Sequence, residues 1–261
     1  LMDIHHFEKI QSYLPVNLLS MEGFVGAYVV VLMFILVRYF GLVGVFYYFF
    51  WNHKGFRLNP LHNQRIKPHQ VRFEIFHSLT SSLVFAFFGV VMGILWQNGL
   101  TQMYLDFDHF GYAYLAVSFL IISLFHEVYF YFTHRMMHIP KYFKTFHSVH
   151  HYSHKTTPWA SFSFNFSESV VQALFLPMIV LLIPVHPVVL IAYLTFMTLT
   201  AISNHLGFEL IDSKWVRRYF ISGQHHHRHH DQFNGNFGLY YCFMDRLMGT
   251  EIKGPEVKET K

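Results

Sequence analysis

Long apolar runs alternate with short polar segments along the 261-residue chain. The first run extends from Phe24 to Trp51 and is interrupted by Arg38. The second covers Phe76 to Trp96, and the third Tyr112 to Phe132. The last is divided into Val170–Ile183, the turn Pro184-Val185-His186-Pro187, and Val188–Ile202. A helix rises about 1.5 Å per residue, so about 20 apolar residues cross a hydrocarbon core of about 30 Å. The first three runs meet that length. Each half of the last is short, which leaves a tight two-helix hairpin or a partly re-entrant one. The pattern predicts an all-α integral membrane protein with about four transmembrane helices.

Charge orders the loops. The segment His53–Arg72 holds Lys54, Arg57, Arg65, Lys67 and Arg72, whereas Asn98–Gly111 holds Asp106 and Asp108 and no Lys or Arg. Arg135, Lys141, Lys144 and Lys155 follow the third run, the hairpin turn has no basic residue, and Lys214, Arg217, Arg218, Arg228 and Arg246 lie beyond. Basic loops mark the cytoplasmic side. The chain is therefore expected to make an even number of crossings with a cytoplasmic C-terminus. Residues 1–261 read as one membrane domain: N-terminal spans in 1–110, a histidine-bearing core in 111–250 and a polar tail in 251–261. Leu1–Glu22 mixes charges and has no apolar core of the kind a secretory signal needs.

Composition agrees with a bilayer as solvent. Charged residues make up 13% against about 25% in soluble domains, while 53% are hydrophobic and mean hydropathy is +0.29. The formal charge of +4 sits in loops between apolar runs, so nucleic acid is not an expected partner. A lone cysteine, Cys242, excludes an internal disulfide and a cysteine-held zinc or iron–sulfur site. The 21 histidines are what needs explaining.

Three histidine clusters fall in segments assigned to the cytoplasmic side: His134-Arg-Met-Met-His138, His147-Ser-Val-His150-His151 and His226-His-Arg-His229-His230. On a helix, positions i, i+3 and i+4 share a face, so each cluster is expected to aim its imidazoles one way, three teeth converging on one pocket. Neutral imidazole suits Fe, Zn and Cu. One zinc site needs about four ligands, so these eight imidazoles suit two ions. Carboxylates are expected to fix the rings by their other nitrogen. Glu127, seven residues before His134, is the first candidate, followed by Glu168, Asp231 and Asp245. His205, after the last run, is a further expected ligand. His154 and His225 border clusters, and His126 reads as buried polar support. His5, His6, His53, His62, His69, His109 and His186 read as surface or interfacial. Glu74-Ile-Phe-His77 has the Glu-x-x-His spacing of carboxylate-bridged bundles but lacks the required second copy.

The order of these motifs resembles the fatty acid hydroxylase/sterol desaturase superfamily of membrane histidine-box di-iron enzymes, in the manner of a bacterial-type member. The resemblance runs from Glu127 through His134 and His138, His147, His150 and His151, and Thr157-Pro-Trp-Ala160 to Glu168. It continues through Asn204-His205-Leu-Gly207, His226, His229 and His230, and Asn236-Phe-Gly238 to Asp245-Arg-Leu-Met-Gly-Thr250. Many relatives carry histidine three residues before the acidic residue matched to Glu168; here Asn165 stands there. The resemblance implies a histidine-rich helical cap over the spans. It implies His134, His138, His147, His150, His151, His205, His226, His229 and His230 as ligands of two Fe2+ ions, with Glu127, Glu168, Asp245 and Asn204 as catalytic-site residues. O2 would be the co-substrate and a membrane lipid the substrate, hydroxylated or desaturated. Such a lipid is a fatty acyl chain, a sterol or a related isoprenoid. The implied location is the cytoplasmic face of a bacterial inner membrane, with the endoplasmic reticulum as the alternative.

No Gly-x-Gly-x-x-Gly fingerprint or cysteine set for a cluster is present, so electrons must come from a separate ferredoxin or cytochrome with its reductase. Lys214, Arg217 and Arg218 could dock an acidic donor. The aromatic stretches Phe125–Phe132 and Trp159–Phe166 are expected to line the lipid's path. Two other classes explain the histidines less well. A metal transporter would place ionisable groups within the spans, where Arg38 stands alone. A non-catalytic lipid-binding relative would not need three complete clusters.

Overall fold

A computed structural model describes residues 15–52, 60–61 and 66–254. His5, His6, His53, His62, Lys54, Arg57, Arg65 and most of the 251–261 tail lie outside the described residues. Among them the protein is helical, with isolated bridges in place of sheets. Helix α1 is Met21–Tyr47, opened by Ser20, whose hydroxyl accepts from the Gly23 amide at 3.0 Å, and closed by a π-turn over Tyr48–Asn52. Helix α2 is Pro68–Gln97 and α3 is Tyr112–Met137. The short α4, Pro140–Phe146, follows. The hairpin is α5, Phe166–Leu182, with Pro177 inside it, and α6, Pro187–His205, with proline at its first turn. Three short helices complete the chain: α7 (Lys214–Tyr219), α8 (Gly223–Gln232) and α9 (Phe243–Leu247).

Met21–Trp51, α2, α3 and α6 are each long and apolar enough to cross a membrane, and α5 is a shorter apolar helix beside them. Side chains such as Val30, Val37 and Leu120 stand well exposed on these helices, where only lipid would tolerate them. The protein is an integral membrane protein. Its interior holds Ile122, Phe175, Ile179 and Tyr193 in one cluster and Ile35, Tyr39, Phe162 and Ile202 in another.

Hydrogen bonds sort the connections to two ends. At one end the Gln97 side chain bonds both Val16 and Leu18 before α1, the Gln102 amide meets Val180 O, and Tyr114 Oη donates to Pro184 O. At the other end Trp51 Nε1 donates to Leu206 O and Gln70 Nε2 to Lys155 O. The loop with no Lys or Arg and the hairpin turn thus share an end, as their charge implies. Four helices are long and apolar enough to cross a membrane, as expected, and the shorter α5 runs beside them. The described chain enters α1 at the end opposite its C-terminus and traverses the bundle five times, because α5 also runs its full length. Its 17 residues give roughly 25 Å, short by composition rules but sufficient inside a bundle. His186 is buried, not interfacial: its Nδ1 accepts from Val188 N at 3.2 Å and its Nε2 donates to Leu105 O at 3.1 Å, capping α6.

Candidate metal centre

All nine histidines singled out as ligands meet at the end of the bundle that carries α8. They form two groups in which the candidate ligand atoms lie within 4.8 Å of one another. The first is His134, His138, His147, His151 and His229; the second is His150, His205, His226 and His230. The clusters do not point one way each, as helical spacing implied. His147 ends α4, while His150 and His151 sit in a 3-10 turn whose adjacent side chains diverge, so His150 joins one group and His151 the other. In α8, His226 and His230 are one turn apart and share a group, and His229 crosses to the other. The groups adjoin: the His151 and His230 rings lie 4.6 Å apart by centroid.

Tautomers decide what this arrangement can hold. His134 Nδ1 donates to Phe237 O at 2.9 Å, His229 Nδ1 to Gly235 O at 2.8 Å, His205 Nδ1 to Ala201 O at 2.7 Å and His150 Nδ1 to Ser163 O at 3.3 Å. A carbonyl only accepts, so each of these rings carries its proton on Nδ1 and presents a lone pair at Nε2. The Nε2 atoms nevertheless face one another: His150 and His205 at 3.2 Å, His205 and His226 at 3.0 Å, His226 and His230 at 3.1 Å. In the other group the spacings are 3.0 Å for His134–His147, 3.1 Å for His138–His151 and 3.0 Å for His151–His229. Two facing lone pairs, as in His150 and His205, repel unless a cation lies between them. Burial, reinforced by neighbouring imidazoles, holds His147, His150, His151, His226, His229 and His230 well below the usual range. They are neutral, as metal ligands must be. Five imidazoles also exceed the four of a closed zinc site.

Of the carboxylates expected to fix the rings, one takes that position. Glu168, buried in the first turn of α5, lies 2.8 Å from His147 Nδ1 and is the one that meets a ligand-group ring. Glu127 touches backbone instead: it accepts from the amides of Leu239, Tyr240 and Tyr241, the shortest at 2.7 Å. Asp245 accepts from Phe237 N at 2.8 Å and Gly238 N at 2.9 Å, and lies 3.4 Å from His225 Nε2. Burial opposes its ionisation, but the His225 and backbone hydrogen bonds outweigh that and keep its pKa below the usual range. Glu127 and Asp245 thus clamp one loop, residues 235–241, which supplies the acceptors for His229 and His134. Asp231 is part-exposed and pairs with Lys155 and His227. Asn204 donates weakly to Leu239 O at 3.4 Å. Glu74 bonds Gln70 and Thr157 and His77 rests against Phe73, both apart from the two groups. His69, His109 and His154 are exposed.

Sequence reasoning missed the loop's backbone acceptors, because carbonyl direction leaves no residue signature. It also left Asn165 without a role. Its Oδ1 accepts from Val149 N at 2.8 Å and so fixes the turn bearing His150 and His151.

An apolar cavity of about 280 Å3 lies among the spans. Phe164, on its wall, packs against His150 with 5.2 Å between ring centroids, and Phe130 against His134 at 4.9 Å. Phe162 also lines it, whereas Phe125, Phe132 and Phe166 of the expected aromatic path face outward.

The nine imidazoles form a histidine-only double cluster that could hold metal ions, at the end of a helical membrane bundle beside an apolar cavity. The chain belongs to the fatty acid hydroxylase family, whose model matches residues 119–250. It is 29% identical over 240 residues to lathosterol oxidase of Homo sapiens, covering 91% of this chain and 75% of the human protein. It is 26% identical over 189 residues to the Delta(7)-sterol 5(6)-desaturase ERG3B of Gibberella zeae, covering 72% of this chain and 58% of that protein. To the Delta(7)-sterol 5(6)-desaturase ERG3 of Candida albicans it is 29% identical over 237 residues, covering 88% and 57%. The chain therefore spans little more than half the length of these fungal relatives. These relatives are fungal and human, and they lend no support to a bacterial-type assignment. No solved structure matches the chain.

Proposed function

We propose that the two imidazole groups bind a pair of iron ions, and that the protein uses O2 and two external electrons to hydroxylate or desaturate a membrane lipid. The observation that carries this reading is the convergence of nine imidazoles on two adjacent points, four of them with Nδ1 donating to a carbonyl, and with no carboxylate in either group among the described residues. Bound iron would supply the binding and reduction of O2, which an all-organic side-chain set does not provide. In hydroxylation, C–H + O2 + two electrons + two protons give C–OH + H2O; desaturation uses the same electrons and O2 and yields C=C and two waters.

The protein's own residues do the rest. Phe237 O, Gly235 O, Ser163 O and Ala201 O orient the rings, and Glu168 holds His147. The cavity excludes water and lays an apolar chain against the wall formed by Phe164 and Phe130. The electron donor is a separate acidic ferredoxin or cytochrome, docking on the cytoplasmic end near α7, where Lys214, Arg217 and Arg218 lie. The names of the relatives favour a sterol-like substrate and desaturation as a second form of the same reading.

Metal analysis of the detergent-purified protein tests this. We expect about two irons per chain, with His150→Ala and His229→Ala each losing one and the double variant losing both. A protein free of transition metal, or a content unchanged by the double variant, would overturn the assignment and favour transport or simple lipid binding.

A further inference from the structure

A second set of exposed apolar side chains lies beyond the long helices, on α7, α9 and their flanks. Trp215 is 63% and Leu247 75% exposed, and Ile211, Tyr219, Phe243 and Met248 stand exposed beside them in the chain. Backbone bonds join the two helices into one unit. The Cys242 amide donates to Tyr219 O at 3.1 Å, the Ile221 amide to Tyr240 O at 2.9 Å, and Arg246 Nη1 to Arg218 O. So much exposed apolar surface on one small unit marks an interaction site.

Height along the bundle says what covers it. Tyr114 Oη donates to Pro184 O, so the start of α3 and the hairpin turn share one level at the end opposite the imidazoles. From there α6 runs from Pro187 to His205, roughly 27 Å, which sets the imidazole groups about one hydrocarbon thickness away. Tyr241 Oη bonds Ser123 Oγ at 3.0 Å, and Ser123 is only nine residues, roughly 14 Å along α3, from Tyr114. Tyr240 N donates to Glu127, roughly 20 Å from Tyr114, and Thr250 Oγ1 meets Tyr131 Oη, roughly 26 Å from it. The unit therefore reaches below the imidazoles, into the hydrocarbon layer, and returns towards the surface at Thr250.

We infer that α7, α9 and the paired residues Phe220 and Tyr241 form a wedge inserted in the lipid leaflet on the imidazole side. Its partner is the acyl layer of the bilayer, met by Trp215, Tyr219, Phe243, Leu247 and Met248, rather than another protein. The inference goes beyond the oxidation reading and stands whether or not the imidazoles hold metal. Trp and Tyr favour this depth, where the ring meets acyl chains and its polar edge meets headgroups. The charges fit it too. Arg217 pairs with Asp212 and Arg246 with Glu251 at 2.8 Å, and the Arg218 guanidinium lies over Tyr219 at 5.6 Å. The long stems of Lys214 and Arg218 can lift their charge to the phosphates. Loop charge alone gave this segment to the aqueous side; the depth of Tyr241 moves it into the leaflet. An electron donor docking near α7 then meets the protein at the bilayer surface.

The test places a thiol-linked fluorophore on the full chain in nanodiscs of phosphatidylcholine and phosphatidylserine. Trp215→Cys and Leu247→Cys probe the wedge, Leu120→Cys on α3 marks the lipid-facing limit and Lys144→Cys on α4 the aqueous limit. The parent chain, whose Cys242 is buried, gives the labelling blank. A melting temperature equal to the parent's selects folded variants, and Tyr219→Cys or Phe243→Cys replaces one that fails. Labels at 215 and 247 should be quenched by nitroxide-bearing lipids as the label at 120 is. They should also be roughly fivefold less sensitive to aqueous iodide than the label at 144, because the anion does not enter hydrocarbon. Iodide quenching equal to that at 144 would overturn the wedge. Protection from both quenchers would overturn it as well and assign this face to a second protein chain.

Discussion

Replacing Asp245 with asparagine isolates what the loop 235–241 does. The carboxylate accepts from Phe237 N at 2.8 Å, Gly238 N at 2.9 Å and Thr250 Oγ1 at 2.8 Å, and it is fully buried. An amide of the same shape keeps one acceptor oxygen and turns an NH2 toward N–H or O–H donors. One or two buried donors are then unmet at about 1–3 kcal/mol each, so a stability loss of about 2–4 kcal/mol is expected. The loop's carbonyls at Gly235 and Phe237 orient His229 and His134, both in the five-imidazole group. The Nδ1 partners of His150 and His205 are Ser163 and Ala201, on other segments. Loss of an outer partner weakens metal binding by about 10- to 100-fold, and here the loss should fall on one ion alone. Chelator titration of the iron-loaded variant, followed by metal content per chain, should show one ion released early and the other at its wild-type concentration. Release of both ions together, or a titration identical to wild type in a folded variant, would refute the claim that Asp245 acts through this loop.

Two further outcomes follow from the same geometry. A Cβ on Gly238 would lie 2.8 Å from Tyr241 O, 2.9 Å from Glu127 Oε1 and 3.0 Å from Asp245 Oδ2. Gly238→Ala should therefore cost about 1–3 kcal/mol and loosen the same ion without removing any polar group; an unchanged melting curve would count against the two-carboxylate clamp. For the apo-protein, the buried histidines refuse protons that the unfolded chain accepts, since their folded pKa lies below its unfolded value. Stability is then full above about pH 6.5 and falls below it, by about 1.4 kcal/mol per pH unit for each such histidine. Denaturant unfolding between pH 8 and pH 5 checks the slope, and a flat profile would contradict neutral, buried imidazoles.

The sequence read correctly wherever the signal was local and repeated. Apolar runs of bilayer length require helices, because backbone N–H and C=O groups find no other partner in lipid. Those runs placed α1, α2, α3 and the hairpin to within several residues. Histidine spacing beside the spans singled out eight of the nine residues that the structure gathers, and the place of His205 after the last apolar run gave the ninth. What the sequence could not decide was which imidazole joins which group, since that depends on a 3-10 turn at His150–Tyr152 and on chain directions at the top of the bundle. It left open whether the hairpin was tight or partly re-entrant, because loop charge fixes sides and not whether a 17-residue helix runs the bundle's length. It also gave Glu127 an imidazole to hold, when a tertiary loop 112 residues away in sequence offers three amides instead. Composition and periodicity thus determined the solvent, the helices and the residue type that fills the candidate site. Pairing across distant segments, which sets tautomers and the loop clamp, was settled by packing alone.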